Sequence, residues 1–184
     1  MKEPIKISTP LSRETCATLK AGDRVLLTGK VFAARDAAHK KMLEALERGE
    51  QLPVNLQGQI VYYVGPTPLR PDMAARGMAV GSAGPTTAGR MDRYTPTLLG
   101  LGMMGMIAKG DRSDEVIKSM QVHGAVYFAA TGGAGALLAR CIKAYKVLAY
   151  PELGPEALAE LLVEDFPVIV AIDSAGNNLY RAKP

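Results

Sequence analysis

Short apolar runs alternate with longer amphipathic runs along this chain, and that alternation predicts an α/β fold. Residues 24–28 form an apolar run between two glycines and are predicted to be a strand. In residues 34–48, apolar positions recur at helical spacing among charged ones, which predicts an amphipathic helix that ends at Gly49. Residues 59–64 are rich in β-branched and aromatic side chains, which is the composition of a buried strand.

The second half of the chain continues the same alternation. We predict strands at residues 105–108, 125–130, 146–150 and 167–172, and helices at residues 113–121, 134–143 and 155–163. Ser113 is placed to cap the first of these helices, and Pro155 suits the first turn of the last one. No internal repeat or linker divides the sequence, so we expect residues 1–184 to form a single α/β domain.

The composition narrows the chemistry that this chain can perform. It has 184 residues, 48% of them hydrophobic, which is enough to bury one core without disulfides or metals. Its cysteines, Cys16 and Cys141, and its histidines, His39 and His123, lack the paired spacing of a zinc or iron-sulfur site. We therefore expect the chain by itself to hold no metal, and we expect His123 and Cys141 to be packing or surface residues.

Charge and hydropathy indicate the kind of partner and compartment. A net charge of +4, with basic residues scattered among acidic ones, is too mild for nucleic-acid binding and suits an anionic substrate. The N-terminus lacks the apolar core of a secretory signal, and the longest apolar stretch, residues 98–108, is too short for a membrane helix. These features predict a cytoplasmic protein that binds neither nucleic acid nor membrane.

The segment between residues 64 and 105 is crowded with glycine and proline, the composition of loops in which binding sites lie. Within it, Thr86 and Thr87 are followed by Arg90, whose planar guanidinium can bind a carboxylate through two parallel hydrogen bonds. A threonine-capped helix start would explain one threonine but not the whole run. This run is the strongest candidate for a functional loop.

Three other groups of residues have both a functional and a structural interpretation. Arg35 and His39, with Asp36 beside them, could present a cation and a base to one cleft, although a solvated helix start has the same residue types. Lys109 ends an apolar strand, where α/β proteins bind ligands, or it extends to the surface. The Thr-Gly-Gly-Ala-Gly run at residues 131–135 suits either anion binding or close strand–helix packing.

Taken in order along the chain, these motifs resemble one protein family. The resemblance rests on Thr-Gly-Lys-Val at residues 28–31, Ala-Arg-Asp-Ala-Ala-His at 34–39, Tyr-Val-Gly-Pro at 63–66, Gly-Pro-Thr-Thr with Arg-Met-Asp at 84–92, Ala-Lys-Gly at 108–110 and Thr-Gly-Gly-Ala at 131–134. The chain resembles the β subunit, or C-terminal domain, of the iron-sulfur hydro-lyases, which are the class I fumarases and L-tartrate dehydratases.

The resemblance implies a fold, a cofactor and a partner. The fold would be a swivelling β/β/α domain with a mixed central sheet flanked by helices. The partner would be an α subunit that binds a [4Fe-4S] cluster, in a heteromer whose size is open. Together they would act on a small dicarboxylate, hydrating fumarate reversibly to L-malate or dehydrating L-tartrate to oxaloacetate.

The resemblance also implies roles for individual residues. By position in the motifs, Arg35, Arg90 and Lys109 bind the substrate, and Thr86 is the base at carbon. Thr87 and His39 are the alternatives for the base. Two other interpretations of the chain stay open, namely a non-enzymatic module that binds an anion or nucleotide and a purely structural subunit.

Overall fold

The computed structural model describes residues 3–181. The strands within these residues are β1 (Ile5–Ser8), β2 (Arg24–Ala33), β3 (Ile60–Tyr62), β4 (Gly105–Ala108), β5 (Val126–Ala129), β6 (Ile142–Ala149) and β7 (Leu158–Ile172). The α-helices are α1 (Arg13–Thr18), α2 (Asp36–Glu47), α3 (Pro71–Ala74), α4 (Thr95–Gly100), α5 (Asp114–His123) and α6 (Gly135–Arg140). Two 3-10 helices, Ala88–Met91 and Pro151–Glu156, lie in the connections.

The strands form a mixed sheet. Strands β1 to β5 lie side by side in chain order, and each is parallel to the next. The long strand β7 is antiparallel and pairs with β5, with β2 and with β6. Because β7 pairs with both β5 and β2, strands β2, β3, β4, β5 and β7 form a closed ring of paired strands. The mixed sheet and the helices packed against it confirm the predicted α/β class.

Both faces of the central strands are buried, as their continuous apolar runs indicate. One face contributes Tyr62 and Ile107 to a core cluster that also buries Leu27. The other face contributes Met106 to a second cluster, which includes Met42 of α2. Helices therefore cover the face on which Met106 lies, and the N-terminus of α2 is held at the edge of the sheet.

Two of the predicted helices are confirmed, and local chemistry sets their ends. Helix α2 corresponds to the helix predicted at residues 34–48, and it ends before Gly49, whose φ is 74°. At the start of α5, the Ser113 hydroxyl accepts a hydrogen bond from the Val116 amide at 3.4 Å. Gly124 ends α5 in the left-handed conformation with φ of 71°, as glycine commonly does after a helix.

The helix predicted at residues 155–163 is wrong, because this segment enters strand β7. Leu161 and Val163 are buried whereas Leu162 between them is exposed, which is the alternation of a strand. The same residues pair with β2 on one side and with β6 on the other. Pairing on both edges outweighs the helical propensity of leucine, alanine and glutamate in this segment.

Other boundaries differ more modestly from the sequence prediction. Strand β2 continues beyond residue 28 to Ala33, across an irregularity at Gly29, where φ is 124°. Helix α6 ends at Arg140, and β6 already begins at Ile142 instead of residue 146. Strand β1 was not predicted, and it is held by parallel pairing with the first half of β2.

Candidate active site

The candidate residues gather at one edge of the sheet. Strands β2, β3, β4 and β5 are mutually parallel neighbours, so their carboxyl ends lie at the same edge. Arg35 follows β2, Gly65 follows β3, Lys109 follows β4 and Thr131 follows β5. In α/β folds, open or closed, ligands bind at the carboxyl ends of the parallel strands. The fold thus brings together segments that are far apart in the sequence.

The threonine loop is inserted between the residues that directly follow β3 and β4. The amide of Thr86 donates to the carbonyl oxygen of Tyr63 at 2.8 Å, and the amide of Lys109 donates to the carbonyl oxygen of Thr86 at 3.1 Å. The amide of Ala88 then donates to the carbonyl oxygen of Lys109 at 2.8 Å, so that Thr87 and Lys109 are paired residues of a short parallel bridge. Both threonines are therefore fixed by backbone hydrogen bonds next to Lys109.

Arg35 lies at the first turn of α2 and is held by Glu156. One guanidinium nitrogen, Nη2, lies 3.2 Å from Glu156 Oε1, and the other carboxylate oxygen accepts the Ala37 amide at 3.2 Å. Glu156 thus satisfies one of the free amides at the helix start and orients the arginine at the same time. A Cβ atom at Gly65 would lie 3.0 Å from Arg35 Nη1 and from the carbonyl oxygen of Pro155, so a side chain there would press against the arginine.

Arg90 is held by a second carboxylate. It lies in the 3-10 helix after the threonines, and its Nε donates to Asp36 Oδ1 at 3.2 Å while Nη2 lies 2.9 Å from Asp36 Oδ2. The carboxylate that occupies this fork in the structure is therefore a side chain of α2. About half of the Arg90 side chain stays exposed.

Lys109 differs from the two arginines. Within residues 3–181, no carboxylate lies within 4 Å of its ammonium group, whereas Arg35 and Arg90 each have one. Gly132, in the loop after β5, approaches the Lys109 side chain, because a Cβ atom there would lie 3.6 Å from Lys109 Cδ. Three cations and two carboxylates leave this edge with a formal charge of +1.

His39 is close to this edge but is wholly buried. Its Nδ1 lies 2.8 Å from the carbonyl oxygen of Arg35, which can only accept, so Nδ1 carries the proton and donates. The ring packs edge-on against Tyr63, with centroids 5.1 Å apart, and beside Tyr94 at 5.8 Å. Burial lowers the pKa of His39 to about 4, so the ring is neutral at pH 7.

Arg112 is a further functional candidate, and the sequence pattern does not predict it. The side chain of Arg112 is completely buried, and its Nε donates to Asp92 Oδ1 at 2.8 Å. Its other nitrogens donate to the Thr95 hydroxyl at 2.6 Å and to the Tyr63 hydroxyl at 3.3 Å. An arginine in a Gly-Asp-Arg-Ser turn is usually exposed, and no local signal in the sequence predicts this burial.

The two cysteines lack the low thiol pKa of a reactive cysteine. Cys16 is buried, and desolvation raises the pKa of its thiol to about 12. Cys141 is partly exposed, and burial raises its thiol pKa as well. Across residues 3–181, no three His, Cys, Asp or Glu side chains are grouped so that they could hold a metal ion. The same part of the chain contains no helix that is both long and apolar enough to span a bilayer.

Comparison with known proteins places the chain in a family. Residues 1–183 match the fumarase C-terminus family, so the chain belongs to it, and the resemblance drawn from the motifs is confirmed. The chain is 41% identical over 170 residues to fumarate hydratase 2 of Leishmania major, covering 91% of this chain and 29% of that protein. It is 38% identical over 181 residues to the aerobic class I fumarate hydratase of Salmonella typhimurium, covering 96% of this chain and 30% of that protein.

A shorter relative matches the chain along most of its own length. The protein named "Putative L(+)-tartrate dehydratase subunit beta" of Methanocaldococcus jannaschii is 40% identical over 175 residues, which cover 93% of this chain and 88% of that protein. The chain therefore spans about three tenths of the fumarate hydratases it matches, but nearly all of this subunit. The chain thus belongs to a family whose relatives are named as hydro-lyases, and it has about the length of a protein named as a β subunit.

Proposed function

We propose that this chain is the β component of an iron-sulfur hydro-lyase that interconverts fumarate and L-malate. One observation carries the proposal: the carboxyl edge of β2 to β5 brings Arg35, Arg90 and Lys109 together with Thr86 and Thr87. These are the residues that the family resemblance assigns to substrate binding and proton transfer. They come from segments that are far apart in the sequence.

The charge at this edge suits the proposed reaction. Removing a proton beside a carboxylate of malate adds a third negative charge to a dianion, so fixed cations at that position lower the barrier. A hydrogen bond to a charged group contributes about 1.5–3 kcal/mol. Since about 1.4 kcal/mol is a factor of ten in rate, each well-placed cation is worth roughly tenfold to a hundredfold. Arg35 and Arg90 are held in place by carboxylates, so they need little reorganisation when substrate binds.

We assign Thr86 as the base at carbon, with Thr87 as the alternative. A threonine hydroxyl is a poor base in water, and it can act only where neighbouring cations stabilise its alkoxide. We assign this role to Lys109, whose backbone is hydrogen-bonded to Thr86 and paired with Thr87, so that its segment is the nearest source of positive charge along the chain. His39 suits the role of the base less well, since the nitrogen that could accept a proton, Nε2, is buried, and burial lowers the pKa of the ring to about 4. We assign His39 to the support of the Arg35 segment.

The side chains of this chain do not fit as ligands of the [4Fe-4S] cluster, which takes several cysteine thiolates. Its two thiols have raised pKa values, and they have no companions of the kind that would complete a ligand set in the described part of the chain. We therefore propose that a partner α chain binds the cluster. When bound there, the cluster supplies a Lewis-acidic iron for the hydroxyl group.

The exposure of the site supports the need for a partner. Thr87, Arg90 and Lys109 are all exposed, and the interactions of such cations with a dicarboxylate are stronger in a site from which bulk water is excluded. A second chain that covers this edge would exclude the water. We propose a heteromer of unspecified size in the cytoplasm, a compartment that suits the two free thiols.

Reconstitution tests this proposal. The chain is co-expressed with the chain that supplies the rest of the enzyme, purified without oxygen, and assayed with fumarate, L-malate and L-tartrate. We expect hydration of fumarate by the complex and no turnover by this chain alone. Turnover by the isolated chain, or a complex inactive on all three substrates, would contradict the proposal.

L-Tartrate dehydratase is the second candidate, and the near full-length match to a protein named as a tartrate dehydratase β subunit favours it. The two substrates differ in hydroxyl groups, which a site distinguishes by local hydrogen bonds. The same three-substrate assay separates them, since preferential turnover of L-tartrate would establish this alternative.

Two non-catalytic alternatives have their own tests. Thermal stabilisation by nucleotide alone would indicate a nucleotide-binding module. Full activity after replacement of all three cations would indicate a structural subunit.

A further inference from the structure

The buried guanidinium of Arg112 lies beneath the candidate site and contacts none of the three site cations. Its polar partners are Asp92, Thr95 and Tyr63, and its guanidinium carbon is 5.4 Å from the ring centroids of both Tyr63 and Tyr127. Its side chain is completely buried, so it cannot reach a substrate at the surface.

Packing alone does not require an arginine here. Replacing a buried ion pair with apolar residues of similar volume is often neutral or stabilising, because taking charges out of water is costly. An apolar side chain could fill the space beside Tyr63 and Tyr127, but it could not fix the orientation of several polar groups at once. A planar guanidinium does so through its fork of donors.

Each partner of Arg112 leads to a different segment of the site. Asp92 lies two residues after Arg90, and its second oxygen accepts the Ser113 amide at 2.8 Å. Asp92 therefore ties the turn that carries Arg90 to the start of α5. Arg112 itself lies three residues after Lys109, so it joins this turn to the Lys109 segment.

Tyr63 extends the connection to the other two segments. Its hydroxyl accepts from Arg112, and its carbonyl oxygen accepts the amide of Thr86. Its ring packs against His39, which in turn donates to the carbonyl oxygen of Arg35. The contacts of one buried group thus lead to the segments that carry Thr86, Arg90, Lys109 and Arg35.

We propose that Arg112 is a positioning residue of this site, which fixes the Thr86–Arg90 loop and the Lys109 segment relative to each other through Asp92, Thr95 and Tyr63. The kinetic consequence of this proposal rests on the proposed function. Its structural consequence, the rigidity of the two segments, does not. The test is therefore designed with one readout for each.

The experiment compares Arg112→Met and Arg112→Lys with a matched control in the reconstituted complex of this chain and its partner. Leu27→Ala is the control, since Leu27 is fully buried in the first half of β2, far along the strand from Arg35, and its truncation also destabilises the fold. Steady-state kinetics with fumarate gives kcat and KM. Hydrogen exchange with mass spectrometry reports the amides of Ala88, Lys109 and Ser113.

We expect Arg112→Met to lower kcat/KM about tenfold to a hundredfold, since small misplacement of reacting groups has effects of this size. Exchange should become faster in the segments that contain Ala88, Lys109 and Ser113, and Arg112→Lys should restore part of both properties. Leu27→Ala should leave kcat/KM per folded molecule and exchange in these segments unchanged. If exchange in these segments stays at the wild-type rate, or accelerates equally in the control, the proposal is overturned.

The experiment still tests the role of Arg112 in two cases of failure. If Arg112→Met does not yield a folded complex, Thr95→Val removes the acceptor of one guanidinium nitrogen and, with it, the hydrogen bonds of the Thr95 hydroxyl with the Met91 carbonyl oxygen and the Tyr63 hydroxyl, while Arg112 keeps its bond to Asp92. It should show the same local loosening to a smaller degree, and an unchanged exchange profile would overturn the proposal. If the wild-type complex does not hydrate fumarate, the proposed function fails, but the exchange measurements still decide the role of Arg112.

Discussion

Lowering the pH should destabilise this protein through His39. In the folded chain the pKa of His39 is about 4, because burial disfavours the charged ring. In the unfolded chain an exposed histidine has a pKa of about 6.5. Between these two values the unfolded state binds a proton that the folded state does not. The free energy of unfolding therefore falls as the pH falls through this window, and above pH 7 the histidine contributes no pH dependence.

The size of the effect follows from the two pKa values. At pH 7 the unfolded histidine is largely neutral, and the proton contributes little to the unfolding equilibrium. At pH 5 the unfolded histidine is almost fully protonated, whereas the folded one is still mostly neutral. The difference amounts to about 2 kcal/mol of lost stability between pH 7 and pH 5, since one pKa unit corresponds to about 1.4 kcal/mol. For a chain of this length, that loss shifts the thermal midpoint by several degrees.

Urea denaturation at pH 7, 6 and 5 measures this effect when wild type is compared with two variants. In His39→Asn the side-chain amide keeps a donor for the Arg35 carbonyl oxygen and removes the titrating ring. His123→Asn is the matched control, because His123 is the only other histidine in the chain and it is partly exposed. We expect wild type and His123→Asn to lose about 2 kcal/mol more than His39→Asn on acidification. Equal losses in wild type and His39→Asn would refute the reasoning.

Three further changes probe the site and its frame. Lys109→Met should lower kcat/KM of the reconstituted enzyme about tenfold to a hundredfold through loss of a charge-assisted hydrogen bond; the exposed Lys146→Met is the control in the same assay, and an equal loss there would contradict the assignment. Thr86→Ala should abolish turnover while Thr87→Ala keeps a measurable rate in steady-state kinetics, and the reverse order would move the base to Thr87. Ser113→Ala should lower the free energy of unfolding by about 1 kcal/mol in urea denaturation, since the cap of α5 is lost, and an unchanged value would show that the cap is not stabilising.

The residues that the sequence located well are those that directly follow predicted strands. Lys109 follows an apolar run whose bounds the structure reproduces, and Arg35 follows β2 at the start of a helix with a clear periodic pattern. Parallel neighbouring strands end at the same edge, so local patterns suffice to place such residues near one another. Composition identifies the glycine- and proline-rich loop with Thr86 as a site loop, but it does not predict that the loop inserts between the residues that follow β3 and β4.

The residues that escaped prediction depend on contacts that are distant in sequence. Glu156 reaches the amide of Ala37 across 119 residues, and Arg112 reaches the hydroxyl of Tyr63 across 49 residues. The helix wrongly predicted at residues 155–163 has the same origin. Its leucines and glutamates favour a helix locally, and only the pairing of β7 with strands on both sides makes this segment extended.

The two carboxylates at the site have a consequence for how a dianion would bind. Asp36 and Glu156 reduce the positive charge at this edge, but they also fix the side chains of Arg90 and Arg35 before substrate arrives. Ordering a free arginine costs up to about 2 kcal/mol of side-chain entropy, and that cost is met here by folding. Lys109 has no such carboxylate in the described chain, so its charge is not offset. In the proposed reaction, the arginines therefore orient the substrate, whereas Lys109 supplies the uncompensated charge beside the threonines where the new negative charge develops.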